Sequence, residues 1–169
     1  MPPPLRHAAA HGISYRPGGE EDAPFFRDVY VSTRTEEVAR TGWPAEMQAA
    51  FLLQQHEAQH SHYGHVYPDA ERLVIERNDE TIGRLYLEEL AHELRIIDIA
   101  FLPNARGRGL GEAILRDIHL MASARGKPVG IHVEKHNPAR RLYLRLGFEV
   151  KEDVGVYERM EWAAETHDL

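Results

Sequence analysis

The 169-residue sequence contains no cysteine. That removes disulfides, thiolate metal sites and a cysteine nucleophile together. It leaves the redox compartment open, because a chain without thiols tolerates any poise. Long apolar runs are also missing. None approaches the ~20 residues that a membrane span needs, so no membrane partner is expected. The opening Met1-Pro2-Pro3-Pro4-Leu5-Arg6-His7 lacks the apolar segment of a secretory signal, and the expected location is cytoplasmic. Positive charge is in deficit: 20 Lys and Arg stand against 27 Asp and Glu, a formal net charge of −7. Nucleic-acid affinity rests on neutralising phosphates, so no nucleic-acid partner is expected either. A negative surface would attract a cationic substrate such as an amine, and it also serves solubility alone.

What is present reads as one domain around one core, working as a monomer or homodimer. Residues 1–11 are expected to be a loose leader, since three consecutive prolines forbid helix there. Residues 12–169 are expected to form a single domain. Ile13 to Arg16 suits a strand stopped by Pro17-Gly18-Gly19. Acids at Glu20, Glu21 and Asp22 suit a helix start, followed by Phe25, Phe26, Val29 and Tyr30 at helical spacing. Pro44 suits the first turn of a second helix through about Gln59, with Met47, Ala50, Phe51, Gln54 and Ala58 on one face. Leu73 to Ile75 and Thr81 to Leu87 read as a hairpin turning at Asn78-Asp79-Glu80. Leu94 to Leu102 is a largely buried strand ended by Pro103. A helix over 109–124 follows, with Leu110, Ile114, Ile118 and Met121 as its apolar stripe. Then come a strand over 129–134, a short helix over 138–146, and strands over 148–151 and 156–162. The order is β-α-α-β-β-β-α-β-α-β-β. It predicts an α/β fold with a mixed sheet and helices on its faces.

Between the strand ending at Leu102 and the following helix lies Arg106-Gly107-Arg108-Gly109-Leu110-Gly111. A helix N-terminus offers unpaired N–H groups and a partial positive charge. Glycines let successive N–H groups converge on one anion, and two arginines add charge, so the segment suits a diphosphate. It is not a kinase-type phosphate loop, because it ends Gly-Leu-Gly-Glu rather than Gly-Lys-Ser/Thr. Nor is it the dinucleotide fingerprint, because Gly111 comes one residue early. A glycine-rich turn that merely starts a helix is the competing reading.

The stretch from about Ile96 to Phe148 resembles the GNAT superfamily of N-acetyltransferases. Ile99-Ala100-Phe101-Leu102-Pro103 is similar to the strand that holds the pantetheine arm in that family. Arg106-x-x-Gly109-x-Gly111 matches its pyrophosphate signature, and Asn137-Pro138-Ala139-Arg140-Arg141-Leu142-Tyr143-Leu144-Arg145-Leu146-Gly147-Phe148 resembles its closing motif. One residue fewer separates Asn137 from Tyr143 than in the commonest family spacing. The resemblance implies a GNAT-like central mixed sheet. It also implies acetyl-CoA as co-substrate, no metal, and acetyl transfer to a primary amine of a small molecule or peptide by direct attack. A non-catalytic acyl-CoA-binding sensor or interaction module on the same fold is the alternative. Acyl-CoA contacts are implied at Ile99, Ala100, Phe101, Arg106, Gly107, Arg108, Gly109, Leu110, Gly111, Glu112, Asn137 and Tyr143. Residues 1–70 carry no motif that names the acceptor.

The implied chemistry needs a neutral amine, a base, an oxyanion donor and an acid for the leaving thiolate. By resemblance, a backbone N–H near Ile99 to Phe101 is the donor and Tyr143 the acid. A packing aromatic is the plain alternative for Tyr143. Several residues compete as base. His132 and Glu134 share a strand face by period two, Asp98 lies in an apolar run where burial would raise its pKa, and Glu93 or water is a further option. His56-Glu57-Ala58-Gln59-His60 formally fits a zinc-protease helix pattern. No third ligand can be placed, and lining of the acceptor pocket by His62 and Tyr63 is the better expectation.

Overall fold

The computed structural model describes residues 1–164; the end of the expected domain, 165–169, lies outside the described residues. Asn78 and Asp79 take left-handed backbone, with φ of 51° and 69°. Asn and Asp tolerate this conformation, and it matches the twist of a two-residue hairpin. The turn joins β2 (Glu71–Arg77) to β3 (Glu80–Glu89), with Arg77 opposite Glu80. β1 (Ile13–Pro17) flanks β2, and β4 (Leu94–Phe101) flanks β3, both antiparallel. The chain then crosses over through α3 (Leu110–Ala124) to β5 (Val129–Glu134), which lies parallel to β4. α4 (Arg140–Arg145), β6 (Glu149–Val154) and β7 (Tyr157–Trp162) complete a seven-stranded mixed sheet in the order β1-β2-β3-β4-β5-β7-β6.

One irregularity positions everything that follows. The β3–β4 register slips between Tyr86 and Leu87, which leaves Ile97 as an extra residue in β4. Such a bulge bends its strand and increases the local twist. β4 accordingly pairs with β5 only from Leu94 to Ile96. Beyond that point β5 stays with β7 as far as Glu134, and β4 runs on alone to Phe101. The sheet is split between its two central strands.

The two faces of the sheet differ in chemistry. On one side α3 packs its stripe of Leu110, Ile114, Ile118 and Met121 onto Leu85, Leu87, Ile96, Val129 and Ile131. On the other, α1 (Ala23–Ala39) and α2 (Ala45–Val66) cover a small apolar cluster of Phe26, Val74 and Tyr86. Here α2 departs from expectation. It continues to Val66 rather than ending near Gln59, and the face carrying Met47, Ala50 and Gln54 is exposed. Leu52, His56, Gln59 and Tyr63 turn inward instead, at helical spacing. A buried arginine on β3 demands polar partners there, and this outweighs the weak apolar pattern.

The leader is not loose. Ala8–His11 form a 3-10 turn, and Ala8 is fully buried. The buried carboxylate of Asp117 on α3 accepts the N–H of His7 at 2.7 Å and of Ala8 at 2.9 Å. An anion at the start of that turn satisfies N–H groups that would otherwise lack partners.

Further along α3, His119 stacks parallel on Trp162 at 3.9 Å between ring centroids. Burial, and then the charge of Arg116, push the imidazole down to about 4 from its ordinary 6.5. The unfolded chain takes up a proton near pH 6.5 that the folded chain refuses until about pH 4. The contribution of neutral His119 is therefore complete above pH 6.5 and is lost as pH falls toward 4. We predict that His119→Phe flattens this part of the pH–stability curve in urea unfolding. Parallel curves for the two proteins would show that the ring is not held neutral.

Candidate active site

After Phe101 the chain must turn at once into α3. Pro103–Ala105 make a 3-10 turn, and Gly107 and Gly109 adopt φ of 73° and 75°. A Cβ at either glycine would meet nothing within 4 Å. Backbone conformation rather than crowding therefore calls for glycine, and the loop faces open space. Leu110, 2% exposed, anchors the helix start in the core. The intrahelical ladder begins with Ala113 N–H to Gly109 carbonyl at 3.2 Å. The N–H groups of Leu110, Gly111 and Glu112 thus precede that ladder and suit an anion.

The arginines of this loop act as braces in the structure. Arg106 Nε donates to the Phe101 carbonyl at 3.0 Å and Nη2 to Ser32 Oγ at 3.1 Å, so it ties the end of β4 to α1. Arg108 Nε donates to the Asn104 carbonyl at 3.1 Å. Glu112 is held by Arg116 at 3.1 Å and by Arg145 at 2.9 Å, which links α3 to α4 and keeps its carboxyl below the usual range. Asn137 caps the turn before α4, its side-chain oxygen accepting the Ala139 N–H at 2.9 Å.

Ile99 and Phe101 pack toward the α3 side, and strand alternation turns Ala100 to the other face. Tyr143 on α4 is 4% exposed and sits edge-on to Phe148 at 5.6 Å. Burial, and then the negative charge of Asp98, push its hydroxyl above the usual range. Tyr143 belongs to the α3 side of the sheet and Asp98 to the other side. The two sense each other where β4 and β5 have parted.

Asp98 is fixed by Arg84, the largest fully buried side chain. Arg84 Nε donates to Asp98 Oδ2 at 2.5 Å, Nη1 to the Phe26 carbonyl at 3.2 Å, and Nη2 to Gln59 Oε1 at 2.8 Å. The rings of Tyr86 and Tyr30 flank the guanidinium at 5.0 and 5.9 Å. Asp98 Oδ1 is free of protein hydrogen bonds among the described residues.

The other candidate bases are also engaged by arginines. His132 Nδ1 lies 3.2 Å from Arg95 Nη1. Arginine only donates, so Nδ1 accepts and a neutral ring carries its proton on Nε2. Partial burial, and then Arg95, hold this imidazole below its ordinary pKa. Arg95 is paired with Glu93 and bonds the Tyr67 hydroxyl at 3.2 Å. Glu134 forms a two-pronged ion pair with Arg34 of α1, one bond being 3.0 Å from Nη1 to Oε2. That pair holds its carboxyl below the usual range. The Tyr157 hydroxyl stands 3.5 Å from Glu134 Oε1.

Arg84 and Arg34 were not legible as site residues in the sequence. A signal for Arg84 exists: a lone cation in the strand Ile82-Gly83-Arg84-Leu85-Tyr86 and a lone acid in the next apolar strand predict a cross-strand pair. Tyr63 is half-buried against this face, whereas His62 is exposed. The rings of His56 and His60 lie tilted to each other, 6.2 Å apart between centroids. Among the described residues no three metal-ligating side chains come together. Removing one member of the buried pair should be costly, because it strands the other charge. We predict that Arg84→Met destabilises the protein by about 3–5 kcal/mol, and that adding Asp98→Leu recovers part of the loss. Denaturant midpoints test this, and a double variant no better than the single one would contradict it.

Residues 68–150 match the family described as Acetyltransferase (GNAT) domain. Mycothiol acetyltransferase of Corynebacterium glutamicum is 35% identical over 96 residues, which cover 55% of this chain and 33% of that protein. The chain thus spans about a third of the length of the curated relatives it matches. Among solved structures, the PaiA N-acetyltransferase of Thermoplasma acidophilum in complex with coenzyme A superposes with TM-score 0.67 at 16% identity, covering 90% of this chain and 99% of that one. A GNAT family acetyltransferase from Elizabethkingia anophelis with acetyl-CoA bound gives 0.58 at 15% identity, covering 90% and 99%. These likenesses establish the fold.

Proposed function

We propose that this chain is a member of the GNAT superfamily and that it transfers an acetyl group from acetyl-CoA to a primary amine of a small molecule or peptide. One observation carries the reading: the gap between β4 and β5 opens beside a glycine loop whose backbone faces free space at the N-terminus of α3. Gly107, Gly109, Leu110, Gly111 and Glu112 would take the pyrophosphate on their backbone. The free edge of β4 from Ile99 to Phe101 would take the pantetheine arm. The open loop and the unpaired strand edge fit such a ligand without displacing a core side chain.

Acetyl-CoA would supply an acetyl thioester for the acceptor's neutral amine to attack. On the α1/α2 side, Asp98 Oδ1 is the group best placed to take the amine's proton, directly or through water. His132 is the weaker candidate, since its lone pair is held by Arg95. Glu134 is weaker too, since Arg34 occupies both its oxygens. A backbone N–H on the free edge of β4 would stabilise the developing negative oxygen. Tyr143, kept protonated, would donate to the departing sulfur from the α3 side. One observation favours the second reading, a non-catalytic acyl-CoA-binding module: Asp98, His132, Glu134 and Glu93 are all engaged by arginines. Absence of thiol release with every amine tested would decide for that module.

Two expected outcomes test these roles. Gly109→Asp should abolish measurable CoA binding in calorimetry, whereas Gly109→Asn, which also tolerates left-handed backbone, should keep more of it. Equal affinities for the two variants would place the pyrophosphate elsewhere. Tyr143→Phe should lower kcat at the modest end of the about 10²–10⁴-fold range of general acid catalysis, with acetyl-CoA binding unchanged. Full kcat would make Tyr143 a packing residue.

A further inference from the structure

Two carboxylates line the acceptor side of the gap, and they are held differently. Asp98 is tied to a guanidinium that is itself 2% exposed and has Nε, Nη1 and Nη2 all in use. Arg84 has nowhere to go, and that pair is a fixture. Glu134 is tied to Arg34, whose side chain is 30% exposed. Arg34 reaches it from α1, the same helix that braces the glycine loop through Ser32. It also has a second carboxylate within reach, since Nη1 lies 3.2 Å from Oε2 of Glu37, one turn further along α1 and 68% exposed.

We propose that Arg34 is a latch: in the free protein it occupies the place at Glu134 that a second cationic group of the acceptor takes on binding. This rests on the acetyl-transfer reading and adds to it the substrate class, a diamine or a longer polycation. Three observations support it. Glu134 receives a planar cation on both oxygens, with the Tyr157 hydroxyl at its side, so the place already accommodates a nitrogen cation. Glu37 gives the displaced guanidinium a partner at the surface, so exchange strands no charge. An acceptor carboxylate competing for Arg34 would instead leave Glu134 without a cation, half-buried beside the phenol of Tyr157, which is the costlier exchange. Alternation along β5 and the bulge at Ile97 in β4 together put Glu134 and Asp98 on the same face of the split sheet, so one amine at Glu134 leaves the other free to enter the gap.

The probes are 1,4-diaminobutane and n-butylamine, which share a four-carbon chain and differ by one ammonium. Their binding is measured by calorimetry on the whole protein with saturating CoA, and thiol release from acetyl-CoA is followed in parallel. The wild type should bind the diamine about tenfold more tightly than the monoamine, the size of one charged hydrogen-bonded contact. Glu134→Gln should erase that preference. Arg34→Gln should tighten the diamine several-fold by removing its competitor, and Glu37→Gln should weaken it by removing the parking place. Binding of neither amine, no preference in the wild type, a preference that survives Glu134→Gln, or weaker diamine binding by Arg34→Gln overturns the latch. Thiol release with an unaltered preference in Glu134→Gln sinks the latch alone. A preference that follows the predicted pattern without thiol release keeps the latch and sinks acetyl transfer.

Discussion

A charge buried in the middle of β3 organises one half of this molecule. Taking a guanidinium out of water costs several kcal/mol even after relaxation, about what its partners must return through geometry. Arg84 therefore needs its partners in place at once: the Asp98 carboxylate from β4, the Phe26 carbonyl from α1 and the Gln59 side chain from α2. Four elements are fixed relative to one another by one side chain. The same pair explains why α2 turns His56, Gln59 and Tyr63 inward and leaves Met47 in solvent. A less polar helix face would leave donors of Arg84 unsatisfied.

The bulge at Ile97 and this ion pair sit one residue apart. The bulge turns both Ile97 and Asp98 toward the helices α1 and α2, the first into the apolar cluster with Phe26 and Tyr86, the second onto Arg84. It also bends β4 away from β5. Strand separation and the placing of the acid are thus one event in the backbone. On the far side, the apolar contact of α3 with the sheet holds the helix N-terminus and its loop in register with the free edge of β4. In the proposed reading, anion binding would fall to backbone groups and proton transfer to side chains, with the gap between the two.

The elements were largely legible in the sequence because their local signals agree. Turn residues at Asn78-Asp79, the stripe of α3 and the loop of Gly107 and Gly109 each specify backbone on their own. The split of the sheet was not legible from spacing, because a one-residue bulge leaves no mark in a run such as Arg95-Ile96-Ile97-Asp98-Ile99. Nor was the inward face of α2 legible, since its weak apolar pattern is overridden by a partner 25 residues away, as Arg84 and Gln59 show. The seating of Ala8 leaves no local sign for a similar reason: Asp117 lies 109 residues away, and no local rule connects them. The candidate bases can be named from the sequence, but the arginines that engage Asp98 and Glu134 come from other elements and leave no local sign.

The most direct test of the central claim is the backbone amide spectrum of the labelled protein during titration with CoA. If the split strand and the start of α3 form the acyl-CoA site, saturable shifts should appear at 97–101 and at Gly107, Gly109, Leu110 and Gly111, with α2 between His56 and Val66 little affected. Shifts centred on α2, or none at the glycine loop at saturating CoA, would contradict it.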